Sequence, residues 1–204
     1  MTKVKICGLT NLEDALAAES LGADFLGFIF FDKSPRAIGV DNARVIIKGL
    51  KGKARKVGLF FDQDLALVKD TAECLGLDLL QIHGSEKPEY VTALKKDFAV
   101  IKTFRVKKGF DFGALGEYSM ADYFLFDTYK EGIAGGTGIA FDWDILSGVR
   151  INKPVFLAGG LKPANVEKAA GKVLPYAVDV ASGVEESVGK KSRKLMEEFI
   201  NAVK

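Results

Sequence analysis

The chain has 204 residues, enough for one domain with its own core, and at 48% hydrophobic and 27% charged it has the balance of an ordinary globular protein. That balance excludes a disordered or fibrous chain. A net charge of +2 gives no electrostatic basis for a nucleic-acid or membrane partner, and no apolar run approaches the roughly 20 residues of a membrane span.

Short runs rich in Val, Ile and Phe recur along the chain and are predicted as strands over 4–7, 25–30, 56–60, 77–82, 98–104, 122–126, 154–158 and 177–181. They are too short for buried helices and suit a parallel sheet. Helical patterns fill most of the gaps. Thr10 and Glu13 have the spacing of a capping box, with Ala15, Leu16 and Ala18 following and Gly22 as a left-handed stop. The spacing over 64–75 puts Leu65, Leu67, Val68, Ala72 and Leu75 on one face. Pro163 suits the first turn of a helix that runs to Gly171. A terminal helix over 190–203 would bury Leu195, Met196, Phe199 and Ile200. The stretch 107–119 carries Gly109, Gly113 and Gly116, so the fifth helix is expected to be short or missing.

Eight strand–helix units in one chain of this length predict an α/β fold, a (β/α)₈ TIM barrel forming a single domain over 1–204. The rival is an open doubly wound sheet, which usually has five or six strands. No linker or charge block divides the chain. Cys7 and Cys74 cannot form a disulfide framework, and the N-terminus lacks a long apolar segment, so a cytoplasmic protein is expected.

In a barrel, function gathers at the C-terminal ends of the strands. Here those ends carry Cys7-Gly8, 31–36 with Arg36, Phe61-Asp62, His83-Gly84, Arg105, Asp127-Thr128, Gly159-Gly160 and Ser182-Gly183. Gly159-Gly160 after strand seven and Ser182-Gly183 after strand eight let backbone amides approach an anion, with a short helix near 184–187 expected to point at the same place. Each pair also reads as plain turn chemistry. Cys7 reads either as a small buried hydrophobe or as a thiolate base. Asp127 reads either as a helix cap or as a general acid. His83, the only histidine, is a hydrogen-bonded structural group or a neighbour of the site. One His and two distant Cys offer no metal cluster. Strand alternation adds a further expectation. If Cys7 faces the barrel mouth, Lys5 faces inward below it, and Asp179 on strand eight does the same. The two would pair across the closing seam, because a buried charge needs a partner; the alternative is that each finds its own water or backbone partner.

The chain resembles the phosphoribosylanthranilate isomerase family from residue 3 to about 187. The resemblance is carried by Lys5-Ile6-Cys7-Gly8-Leu9-Thr10, Lys33-Ser34-Pro35-Arg36, Gln81-Ile82-His83-Gly84, Gly135-Gly136-Thr137-Gly138 with Phe141-Asp142-Trp143, Leu157-Ala158-Gly159-Gly160-Leu161, and residues 178–185. It departs at Ala181, where the family often has Ser; Ser182 and Gly183 remain. The resemblance implies an isomerase of tryptophan biosynthesis that performs an Amadori rearrangement on a phosphorylated small molecule without a cofactor. It implies Asp127 as general acid, Cys7 as general base and Arg36 as partner of the substrate carboxylate. Gly159, Gly160, Ser182 and Gly183 would hold the phosphate. Residues 135–138, with Gly136 and Thr137, would form a mobile lid beside the site. Monomer and homodimer are both compatible with this. The alternatives are another phosphosugar barrel, such as a ribulose-phosphate epimerase, and a non-catalytic barrel that binds a phosphorylated ligand.

Overall fold

Alternation along eight parallel strands decides which side each residue serves. The computed structural model describes residues 1–128, 143–146 and 148–204. Its strands are β1 (Lys3–Cys7), β2 (Phe25–Ile29), β3 (Arg55–Phe60), β4 (Leu79–Ile82), β5 (Ala99–Val106), β6 (Tyr123–Thr128), β7 (Val155–Leu157) and β8 (Ala177–Val180). Each pairs with the next, and β8 pairs with β1, so the sheet closes into a barrel and has no open edge. The doubly wound alternative is thereby excluded. Outward residues such as Val4, Ile6, Leu26, Leu80, Val178 and Val180 pack with helix residues in one large core. Inward residues Phe25, Val57, Leu79, Ile101, Leu125 and Phe156 fill the barrel itself.

Helices α1 (Leu12–Ser20), α2 (Val40–Gly49), α3 (Leu65–Leu75), α4 (Pro88–Leu94), α5 (Pro163–Val173) and α6 (Arg193–Asn201) cover the outside. The fifth connection holds a 3₁₀ segment at Phe112–Tyr118 instead of an α-helix, where glycines weaken helical propensity. A 3₁₀ turn at Trp143–Leu146 precedes β7.

Local chemistry corrects several boundaries. The cap of α1 is Asn11, whose side chain accepts from the Asp14 amide, and not Thr10. The Thr10 hydroxyl instead donates to the Gly189 carbonyl at 2.7 Å. Leu67 is 51% exposed, so the buried face of α3 is formed by Val68, Thr71, Ala72 and Leu75. Helix α6 begins at Arg193, capped by Ser192. The two residues expected to open that helix form strand β10 (Lys190–Lys191), which pairs antiparallel with β9 (Glu185–Ser187). The short helix expected near 184–187 is a 3₁₀ turn at Ser182–Val184, because β9 takes the following residues.

Candidate active site

The C-terminal ends of the strands open into a cavity of about 430 Å³. Cys7, Arg36, His83, Asp127, Gly159, Gly160, Ser182 and Gly183 all line it. These residues come from six different strand ends and meet because the barrel closes. Gly136 and Thr137 lie outside the described residues, as do the rest of 135–138 and the greater part of the long connection after β6.

Asp127 is buried at the end of β6, where its Oδ1 accepts from the Thr128 amide at 2.7 Å. Burial pushes its carboxyl up to about 6; the Thr128 hydrogen bond and the charges of Lys5 and Arg105 oppose this, and Asp179 adds to it. Its Oδ2 lies 3.6 Å from His83 Nε2, and His83 Nδ1 is 3.1 Å from the Gln81 amide nitrogen. An amide nitrogen can only donate, so Nδ1 accepts and the proton of a neutral ring sits on Nε2, towards Asp127. His83 therefore touches both the site and its supporting network. Gln81 has no marking in the sequence beyond its place beside that histidine.

Cys7 ends β1 and is buried. Burial pushes its thiol above the ordinary value, with Lys5 as the strongest opposing charge. Opposite it stands Gly27 of β2, where a Cβ would lie 2.8 Å from the sulfur. Below it, the expected pair is present. Lys5 Nζ donates to Asp179 Oδ1 at 3.0 Å, across the register that sets Lys5 beside Asp179. Lys5 is fully buried and Asp179 nearly so.

Arg36 reaches the cavity with its fork already engaged. Its Nε and Nη2 donate to the two carboxylate oxygens of Glu185, both at 2.7 Å. Lys191 Nζ donates to the same carboxylate at 2.9 Å and to the Ala181 carbonyl at 3.0 Å. Burial would raise the Glu185 carboxyl, but Arg36 and Lys191 outweigh it and hold it below the usual range. Two cations against one carboxylate leave this corner net positive. Sequence reasoning missed Glu185 and Lys191 as site residues. The one available signal was an acid closing the segment after strand eight, and no spacing rule pairs it with an arginine 149 residues away.

The glycines after β7 and β8 are required by geometry. Gly159 and Gly160 have φ of +86° and +64°. A Cβ on Gly159 would sit 2.2 Å from the Thr128 hydroxyl, and one on Gly183 would sit 1.9 Å from the Leu161 carbonyl oxygen. The loop after β8 therefore meets the loop after β7 through backbone at Gly183, and Gly159 packs directly against the end of β6. Among the described residues no group of three His, Cys, Asp or Glu side chains is placed to hold a metal.

A closed barrel with an acid, a thiol and a net-positive corner at its C-terminal mouth defines the class as a (β/α)₈-barrel enzyme. Known proteins narrow it. Residues 4–202 match the family model described as N-(5'phosphoribosyl)anthranilate (PRA) isomerase. An N-(5'-phosphoribosyl)anthranilate isomerase of Geobacter sp. (strain M21) is 48% identical, the alignment covering all of this chain and 98% of the relative. The crystal structure of phosphoribosyl anthranilate isomerase from Thermotoga maritima superposes with a TM-score of 0.93 at 37% identity, over 100% of this chain and 98% of that one. A phosphoribosyl anthranilate isomerase solved in complex with reduced 1-(o-carboxyphenylamino)-1-deoxyribulose 5-phosphate gives 0.87 at 35%, with the same coverage of 100% and 98%. The chain belongs to the N-(5'-phosphoribosyl)anthranilate isomerase family.

Proposed function

We propose that Asp127 and Cys7 are the general acid and the general base of the reaction that gives this family its name. The chain is an isomerase of tryptophan biosynthesis, and it converts N-(5-phosphoribosyl)anthranilate into 1-(2-carboxyphenylamino)-1-deoxyribulose 5-phosphate. The Asp127 carboxyl protonates the ring oxygen, the furanose opens, and a protonated imine forms at C1. The Cys7 thiolate then takes the proton from C2, which the imine has acidified, and the enolamine that results becomes the aminoketose. The substrate's own nitrogen is the electron sink, so the step needs no cofactor.

The observation that carries this reading is the buried Asp127 carboxyl. Its pKa is raised to about 6, so it keeps a proton to a pH at which an ordinary carboxyl has lost it. Arg36 has five N–H groups and spends two on Glu185, so others are left for the substrate carboxylate. Gly159, Gly160, Ser182 and Gly183 supply backbone amides for the phosphate. His83 orients Asp127. Every one of these residues comes from a single chain, so monomer and homodimer serve equally, and the place of action is the cytoplasm, where a free thiol stays reduced. Neither an epimerase nor a passive phosphate-binding barrel gives Cys7 and Asp127 this division of labour. The test is turnover of the fluorescent anthranilate substrate by Asp127→Asn and Cys7→Ser beside the wild-type protein. A loss of about 10²–10⁴-fold in both variants supports the proposal, and wild-type turnover in either would overturn it.

A further inference from the structure

We infer that Lys5, paired with Asp179 on the floor of the site, is a positioning residue whose ammonium favours ionisation of the Cys7 sulfur against the cost of its burial. The inference rests on Cys7 being the base. Lys5 and Cys7 stand two residues apart on the inward face of β1, so the ammonium lies beneath the sulfur. No solvent reaches Lys5, and the Asp179 carboxylate that holds it at 3.0 Å itself lines the cavity. On the β2 side Gly27 brings no side chain and no charge.

The charged groups that act on the sulfur are Lys5 from β1, Asp179 from β8, Lys191 from β10 and Arg36 from the loop after β2. Burial disfavours the thiolate most, Lys5 favours it most, Asp179 opposes it and Lys191 adds a smaller favourable share. Arg36 is committed to Glu185. Stability alone is a poor reason for the pair. Two charges taken out of water recover little in the interior, and a well-packed apolar pair of similar volume would close the seam as well or better. A function for the ammonium accounts for its burial beneath a thiol.

The test follows alkylation of Cys7 by iodoacetamide in a Cys74→Ser background, which leaves one thiol. Cys74 is the exposed cysteine, and Cys7 is reached through the cavity. Lys5→Met alone strands Asp179 and endangers folding, so the deciding variant is Lys5→Met/Asp179→Asn, in which both members are neutral. It is expected to react at pH 8 severalfold more slowly than the background protein, because the lost favourable charge of Lys5 acts on the sulfur more strongly than the lost opposing charge of Asp179. Asp179→Asn alone is expected to react faster, because Lys5 then turns wholly to the sulfur. A merely structural pair would move neither rate. Alkylation of the double variant at the background rate would overturn the inference. The base assignment is tested separately by Cys7→Ser: retained turnover there, with the alkylation rates changed as stated, would remove the base and leave the hold of Lys5 on the thiol intact.

Discussion

Asp127→Asn is expected to change the shape of the pH–rate profile as well as its height. Burial raises this carboxyl to about 6, and burial also pushes the Cys7 thiol above its ordinary range, so the carboxyl loses its proton well before the thiol does. The reaction needs the acid protonated and the thiol ionised, the reverse of the order in which they titrate. Between the two titrations each pH unit costs tenfold in acid and gains tenfold in thiolate, so the active fraction is small and constant. Asparagine cannot donate the proton, and losing a general acid lowers kcat/KM by about 10²–10⁴-fold. The assay follows substrate fluorescence for both proteins from about pH 5 to 8. The thiol and the substrate phosphate titrate in both proteins, so they cancel in the ratio of wild-type to variant rates. That ratio reports protonated Asp127 alone. It is expected to be flat below about pH 6 and to fall tenfold per unit above it. A ratio that stays constant across the range would refute the role of Asp127 as acid.

Arg36→Met is expected to weaken a carboxylate-bearing product analogue by about 1.5–3 kcal/mol, measured by titration calorimetry, and to leave a carboxyl-free analogue nearly unaffected. Equal losses for both ligands would count against the carboxylate role. Gly183→Ala pushes a Cβ to 1.9 Å from the Leu161 carbonyl oxygen and must move the loop, so inorganic phosphate should compete about ten- to hundredfold less well. Unchanged phosphate inhibition would place the anion elsewhere. Asp179→Leu strands a fully buried ammonium and should cost about 3–5 kcal/mol in urea unfolding, with Lys5→Met/Asp179→Leu recovering much of that loss. A double variant as unstable as the single one would mean that packing, and not stranded charge, sets the cost.

What the sequence made legible follows from periodicity. A parallel strand buried on both faces reads as an apolar run, which located all eight barrel strands within two residues at their starts and forced the inward turn of Lys5 and Asp179. Strand ends mark the mouth of a barrel, so the sequence alone points to Cys7, Asp127, Arg36, His83, Gly159-Gly160 and Ser182-Gly183, all of which line the cavity. The errors lie where a residue chooses among local partners. Thr10 had the spacing of a cap but found the Gly189 carbonyl instead. Lys190 and Lys191 look like the start of an amphipathic helix, yet they pair with β9. The Arg36–Glu185–Lys191 cluster joins side chains from distant parts of the chain, and only the closed barrel brings them together.

The claim that the mouth of this barrel works by acid–base chemistry through one thiol is tested most directly by turnover of Cys7→Ser against Cys74→Ser. Both remove a sulfur from the chain, one from the floor of the cavity and one from the exposed side of α3. With circular dichroism confirming that both fold, Cys7→Ser is expected to lose about 10²–10⁴-fold in kcat while Cys74→Ser stays at the wild-type rate. Wild-type turnover in Cys7→Ser would contradict the account.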